Sequence, residues 1–191
     1  MEYKFDDGLR AHRRLMKAYT SLLSSESYKS VSVKKLTDTA EMSRAAFYLH
    51  FDSMEDFSYQ CSQYLIRKIS KQMIHWLSQG PGMIEYTCKK RNLLIDETDR
   101  ELFRQYVRQE IYFPGYSSFD TLSGMYYEFV AERFSVSVEE CKNNSNLNFF
   151  IRAFSASIMD SIADYDSKKM SRDMNYVFMI WNKLLPEYQL K

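Results

Sequence analysis

The stretch Ser32-Val33-Lys34-Lys35-Leu36-Thr37-Asp38-Thr39-Ala40-Glu41-Met42-Ser43-Arg44-Ala45-Ala46-Phe47-Tyr48-Leu49-His50-Phe51 decides the fold. Its pattern predicts two short helices joined by a tight turn. Ser32 is a good N-cap for the first, which has Val33, Leu36 and Ala40 on its inner face. Ser43 caps the second, over about residues 44–50, and Phe47 and Phe51 point inward. Ala40 is small enough to let the two helices approach, and Met42 plugs the space between them. A unit of this size can lay its second helix in a DNA major groove, about 12 Å wide.

Working outward, residues 6–24 predict a helix with Leu9, Leu15, Ala18, Leu22 and Leu23 on one face. Arg10, Arg13, Arg14 and Lys17 cover the rest. On the other side, Ser53 followed three residues later by Asp56 resembles a capping box, and the acidic residues suit the positive end of a helix. The helix it opens is long, with Phe57, Leu65, Ile69, Met73 and Trp76 on its inner stripe, and Gly80-Pro81-Gly82 stops it. Further helices are expected over about 83–94, 99–112, 118–134, 147–165 and 171–185, the last carrying Met174, Val177, Phe178, Trp181 and Leu184 at helical spacing.

Composition supports an all-α protein. Only 5 Gly and 3 Pro occur in 191 residues, against 13 Phe, 15 Tyr and 11 Met, which favours long helices over turn-rich strands. The net charge of +1 rules out a polycation, so nucleic-acid binding has to come from a local surface. Cys61, Cys88 and Cys141 lie far apart, which argues against a disulfide framework or zinc site and fits a cytoplasmic protein. His12, His50 and His75 have no metal-ligand spacing, so no metal or cofactor is expected. No apolar run is long enough for a transmembrane helix, and the N-terminus has no signal-peptide core. No nucleophile elbow, phosphate loop or paired acid–base constellation points to an enzyme.

Residues 13–57 resemble the DNA-binding headpiece of the TetR family of transcriptional regulators. The resemblance rests on Leu15 and Ala18, on Tyr28 with Val31-Ser32-Val33 before Leu36, and on Ala40 and Ser43-Arg44. It continues through Phe47-Tyr48-x-His50-Phe51 and Asp52-Ser53-x-Glu55-Asp56. It implies a helix-turn-helix DNA-binding domain over residues 1–52 and a helical ligand-binding and dimerisation domain over 53–191. The implied activity is operator binding by a homodimer, as a repressor released by a small molecule. The alternatives are an activator or protein-responsive regulator without a small ligand, or a helical adaptor that has lost DNA binding.

Three departures from the family pattern stand out. Glu41 occupies a turn position where Gly is usual, so a left-handed conformation there would carry strain. Ala45-Ala46 lacks a hydroxyl common at that point. Met54 replaces a Lys that commonly contacts phosphate, which predicts a salt dependence shallower by about one unit.

The expected DNA contacts are Ser32, Lys34, Lys35, Ser43, Arg44, Ala45, Tyr48 and His50. Arg44 is the candidate for reading a base, because a guanidinium pairs bidentately with guanine. Tyr48 and His50 resemble phosphate or groove contacts, and of Lys34 and Lys35 one is expected to touch phosphate. For an apolar or aromatic effector the candidate pocket residues are Met73, Trp76, Tyr86, Phe103, Tyr106 and Phe129, with Tyr hydroxyls orienting the ligand. For the dimer interface they are Phe154, Ile158, Ile162, Phe178 and Trp181, from two helices of each protomer in a four-helix arrangement. Such a dimer sets two recognition helices about 34 Å apart, matching successive major grooves.

Overall fold

A computed structural model describes residues 3–6, 8–79, 97–109, 118–163 and 179. The described residues form helices and no strand: α1 (Arg10–Ser25), a 3-10 turn (Tyr28–Ser30), α2 (Val33–Thr39), α3 (Arg44–Tyr48), α4 (Met54–Gln79), α5 (Glu97–Arg108), α6 (Ser118–Phe134), α7 (Val138–Asn143) and α8 (Ser145–Ala163). The fold is all-α, as the sequence predicts. The expected helices at 83–94 and 171–185 lie outside the described residues. So do Gly80-Pro81-Gly82, Phe113-Pro114-Gly115, Tyr86, Phe178 and Trp181, and the side chains of Met73, Trp76 and Ile162.

Packing divides the chain into two units, residues 1–66 with 95–116, and residues 67–94 with 117–191. In the first, α1 buries Leu15, Ala18, Tyr19 and Leu23 against its neighbours. It begins at Arg10 rather than near Asp6. The Asp6 carboxylate accepts the Gly8 N–H at 2.8 Å, and the Asp6 N–H donates to His12 Nδ1 at 2.9 Å, so a local turn competes with the helix. The segment before it folds back, burying Phe5 against His12, Phe51 and Tyr64. Lys4 reaches Asp56 at 2.9 Å and Asp52 at 3.2 Å. Leu9, expected on the inner face, is exposed as the residue preceding the helix.

The start of α4 is capped as the sequence implies, with one exchange of partners. Ser53 Oγ accepts the Asp56 N–H at 3.0 Å, while the Asp56 carboxylate accepts the N–H of Asp52 rather than that of Ser53. Helix α5 packs along α1. The Tyr19 and Ser58 hydroxyls lie 2.7 Å apart, and Tyr106 donates to the Ser58 carbonyl at 2.5 Å, so three helices share one buried polar knot. Gln109, just beyond α5, donates to the Leu23 carbonyl at 2.8 Å and accepts the Tyr28 N–H at 2.6 Å. One amide therefore satisfies a carbonyl at the end of α1 and the first donor of the 3-10 turn.

In the second unit α6, α7 and α8 pack on one another. Leu122, Tyr126 and Val130 of α6 and Phe150, Ile151 and Phe154 of α8 are buried in it, with the Tyr126 ring edge-on to Phe154. Helix α7 was not expected. Ser137 accepts the Glu140 N–H at 3.1 Å and the Glu140 carboxylate accepts the Ser137 N–H at 2.6 Å, a full capping box. Asn144 then caps α8 by accepting the N–H groups of Asn146 and Leu147, each at 3.1 Å.

Candidate nucleic-acid interface

The candidate interface is built by α2, the turn and α3. Leu36 and Phe47 are fully buried, and Phe47 meets Phe51 and Phe57 with ring centroids 5.6 and 5.9 Å apart. This cluster fixes the inner faces, so the opposite faces are presented to solvent without freedom to rotate. Both predicted caps are present. Ser32 Oγ accepts the Lys35 N–H at 3.3 Å and Ser43 Oγ accepts the Ala46 N–H at 3.0 Å.

The turn carries the strain foreseen at Glu41, whose φ is +51°. It is held from α1. The Arg14 guanidinium donates to the carbonyls of Ala40 at 2.6 Å and Glu41 at 3.0 Å, and lies 3.6 Å from the Glu41 carboxylate. Sequence reasoning placed Arg14 among the solvated cations of α1. Its actual work, satisfying the carbonyls that α2 leaves open, has no local sequence signal, because the partners are 26 and 27 residues away.

Of the expected contacts, Ser32, Lys34, Lys35, Ser43, Arg44, Ala45 and Tyr48 are exposed, and His50 is partly so. The two lysines differ. Lys35 Nζ sits 2.6 Å from Glu26, whose carboxyl is held below its ordinary value by Lys35 and by the Ser30 hydroxyl. Lys34 makes no ion pair among the described residues, and neither does Arg44. Tyr48 is 55% exposed with its ring edge-on to Phe47. Leu49, next to it, is 82% exposed, an apolar group on the polar face that the sequence reading passed over.

His50 stands edge-on to His12 at 4.8 Å. His12 is buried, and burial, with the neighbouring His50, lowers its pKa. A neutral His12 can accept the Asp6 N–H, which ties the N-terminal segment to the end of α3.

The other expected residues lie elsewhere. Phe103 and Tyr106 are buried in the first unit, and the Tyr106 hydroxyl is already engaged by Ser58. Phe129 is half-buried on α6. Phe154 and Ile158 are 2% and 1% exposed within their own chain, so they shape α8 but offer almost no free area. The outward side of α8 carries Phe149, 68% exposed, with Ala153 and Ala156. Among the described residues no group of His, Cys, Asp or Glu could hold a metal, and no helix is long and apolar enough to cross a membrane.

A buried aromatic base beneath two capped short helices, the second with its outer side chains free, defines a helix-turn-helix headpiece joined to helical partners. Residues 15–58 match the family described as bacterial regulatory proteins, tetR family. The headpiece is therefore a TetR-family DNA-binding domain, and the chain around it has the fold of TetR-type regulators. Solved structures that share that fold include the following three. A dihydroxyacetone kinase operon activator, DhaS, is 16% identical with a TM-score of 0.54, covering 94% of this chain and 97% of its own. The TetR family repressor AlkX from Dietzia sp. strain DQ12-45-1b is 13% identical with a TM-score of 0.51, over 97% and 99%. A regulatory protein TetR from Rhodobacter sphaeroides is 14% identical with a TM-score of 0.52, over 87% and 96%. No curated protein matches the sequence.

Proposed function

We propose that the chain is a cytoplasmic, homodimeric operator-binding regulator, and that it represses until a small apolar or aromatic effector releases it. Residues 1–52 supply the DNA contacts, and residues 53–191 the effector site and dimer contacts. The observation that carries this reading is the outer face of α3. Arg44, Ala45 and Tyr48 stand exposed on a helix whose inner face is locked by Phe47. In the complex Arg44 reads a base edge, Tyr48 and His50 touch the sugar–phosphate strand, Ser32 and Ser43 flank it, and Lys34 supplies charge. Leu49 adds apolar contact, for which a thymine methyl is the fitting partner.

The dimer forms through α8, whose outward side carries Phe149, Ala153 and Ala156, together with the expected contacts Ile162, Phe178 and Trp181. Solved structures of this fold include an operon activator and a repressor, so the sign of regulation is tested separately. A transcription reporter in which deleting the gene raises output supports repression, and a fall in output supports activation. Binding to DNA flanking the gene, compared with a mixed-sequence duplex, tests the core claim. Arg44→Ala should cut that preference by about 1–3 kcal/mol while leaving mixed-sequence binding within severalfold. Equally weak binding of the unaltered protein to both duplexes would instead favour a helical adaptor that has lost DNA binding.

A further inference from the structure

Polar atoms buried in a helical core normally find a partner inside the protein. Most hydroxyls here do. Thr20 donates to the Met16 carbonyl at 2.9 Å, Thr37 to that of Val33 at 2.9 Å and Ser155 to that of Ile151 at 2.8 Å, each one turn back along its own helix. Tyr127 donates to Asn148 Oδ1 at 2.6 Å. Two hydroxyls on α6 break this pattern. Ser123 is 2% exposed and Tyr126 is 1% exposed, and neither Ser123 Oγ nor the Tyr126 hydroxyl has a hydrogen-bond partner among the described residues. They are three residues apart, so they share one face of the helix, and that face is the one turned to the core. Ser62 and Gln63 in the first unit have the same deficit, but as successive residues on α4 they diverge and cannot serve one ligand.

We propose that Ser123 and Tyr126 form the polar end of a small-molecule site in the second unit, one that takes an uncharged ligand with an apolar body and an oxygen able to donate and accept hydrogen bonds. The site deepens the effector reading above and rests on it. The ligand is uncharged because the fully buried polar side chains described in this unit are serines, and Arg67, the described charged side chain here with a buried atom, is already engaged. A carboxylate or ammonium would be desolvated there without a counter-charge. The body is apolar and accepts an aromatic ring because the adjoining walls are aromatic. Phe154 lies edge-on to Tyr126 at 4.8 Å and stacks with Phe150 at 6.0 Å. Burial also pushes the Tyr126 phenol well above its ordinary value, so it stays a hydrogen-bond donor at any physiological pH.

Three probes of one shape test this: 2-phenylethanol, phenylacetate and ethylbenzene, which carry a hydroxyl, a carboxylate and neither. In thermal unfolding of the full chain, 2-phenylethanol at ten times its Kd should raise the midpoint by about 3 °C, ethylbenzene less, and phenylacetate not at all. Ser123→Ala and Tyr126→Phe should each weaken 2-phenylethanol about tenfold by calorimetry and leave ethylbenzene unchanged. Without any probe, the double variant should unfold no earlier than the parent, since it removes two unpaired oxygens. If the double variant does not fold, Tyr126→Phe alone carries the same comparison.

The proposal is overturned by no shift from 2-phenylethanol, which would leave bound water as the only occupant, or by an equal shift from phenylacetate. A shift that survives both substitutions, or a less stable variant in the absence of probe, overturns it too. DNA affinity separates this proposal from the effector reading. Binding of 2-phenylethanol that leaves operator affinity unaltered keeps the site and removes its role in release.

Discussion

The contrast between Lys34 and Lys35 gives a quantitative test of the interface. The two side chains are adjacent in sequence, equal in formal charge and both exposed, yet Lys35 is held 2.6 Å from Glu26 and Lys34 is not paired among the described residues. Each phosphate contact contributes a slope of about −0.9 to log K against log salt. Lys34→Ala in a dimer should therefore flatten the slope by about 1.8. At about 0.15 M salt the same relation gives about 1 kcal/mol per contact, hence about 2 kcal/mol per dimer and roughly a thirtyfold loss of affinity. Lys35→Ala removes a charge already shared with Glu26, so its slope change should be less than half as large. Fluorescence anisotropy with a labelled mixed-sequence duplex, titrated with potassium chloride, reads both slopes directly. Equal slopes for the two variants, or an unaltered slope for Lys34→Ala, would show that pairing with Glu26 does not sort the two lysines and that α2 lies off the phosphate backbone.

Two further substitutions probe the frame around the interface. Glu41→Gly and Glu41→Ala both remove the carboxylate near Arg14, but only glycine accepts φ of +51° without a Cβ clash. In chemical denaturation the Gly variant should be more stable than the Ala variant by about 0.5–1 kcal/mol, and the reverse order would remove strain from the account of the turn. Asp56 is buried, which pushes its carboxyl up. Lys4, the Asp52 N–H and the Gln60 amide outweigh burial and hold it below its ordinary value. The unfolded chain therefore takes the proton more readily, so this stabilisation is whole above the ordinary carboxyl range and disappears as pH falls through it and then through the lower folded value. Asp56→Asn should flatten the acid limb of a stability–pH curve, and a curve identical to the parent's would show that the Lys4 arm contributes nothing.

Much of the fold is legible in the sequence because its signals are local. Ser32 and Ser43 cap the helices they precede, Ser53 opens α4, and the helix over 118–134 has the expected limits. The strain at Glu41 could be foreseen from one residue type at one turn position. Contacts set by partners distant in sequence were not legible. The Arg14 clasp on the turn and the Gln109 bridge each join residues whose proximity exists only after folding. Helix α7 is a different case. Ser137-x-x-Glu140 is a capping-box pattern in plain view, but the helix has only 6 residues, too few for hydrophobic periodicity to show. At the candidate interface, residue types mark side chains that prove exposed, but only the folded structure separates a lysine paired with Glu26 from one beside it that is not. Apolar character marks the pocket and pairing candidates, and it cannot tell a side chain facing its own core from one facing a guest or a twin.

The way α5 closes over α1 matters to anyone building chimeric regulators. A reading head cut out after α3, or even after the first half of α4, would leave behind the Tyr106 hydroxyl and the Gln109 amide, and with them the lid over Tyr19 and the fastening at the tail of α1. The portable cassette is discontinuous, so grafted heads should carry residues 97–109 with them or be redesigned along the exposed flank of α1.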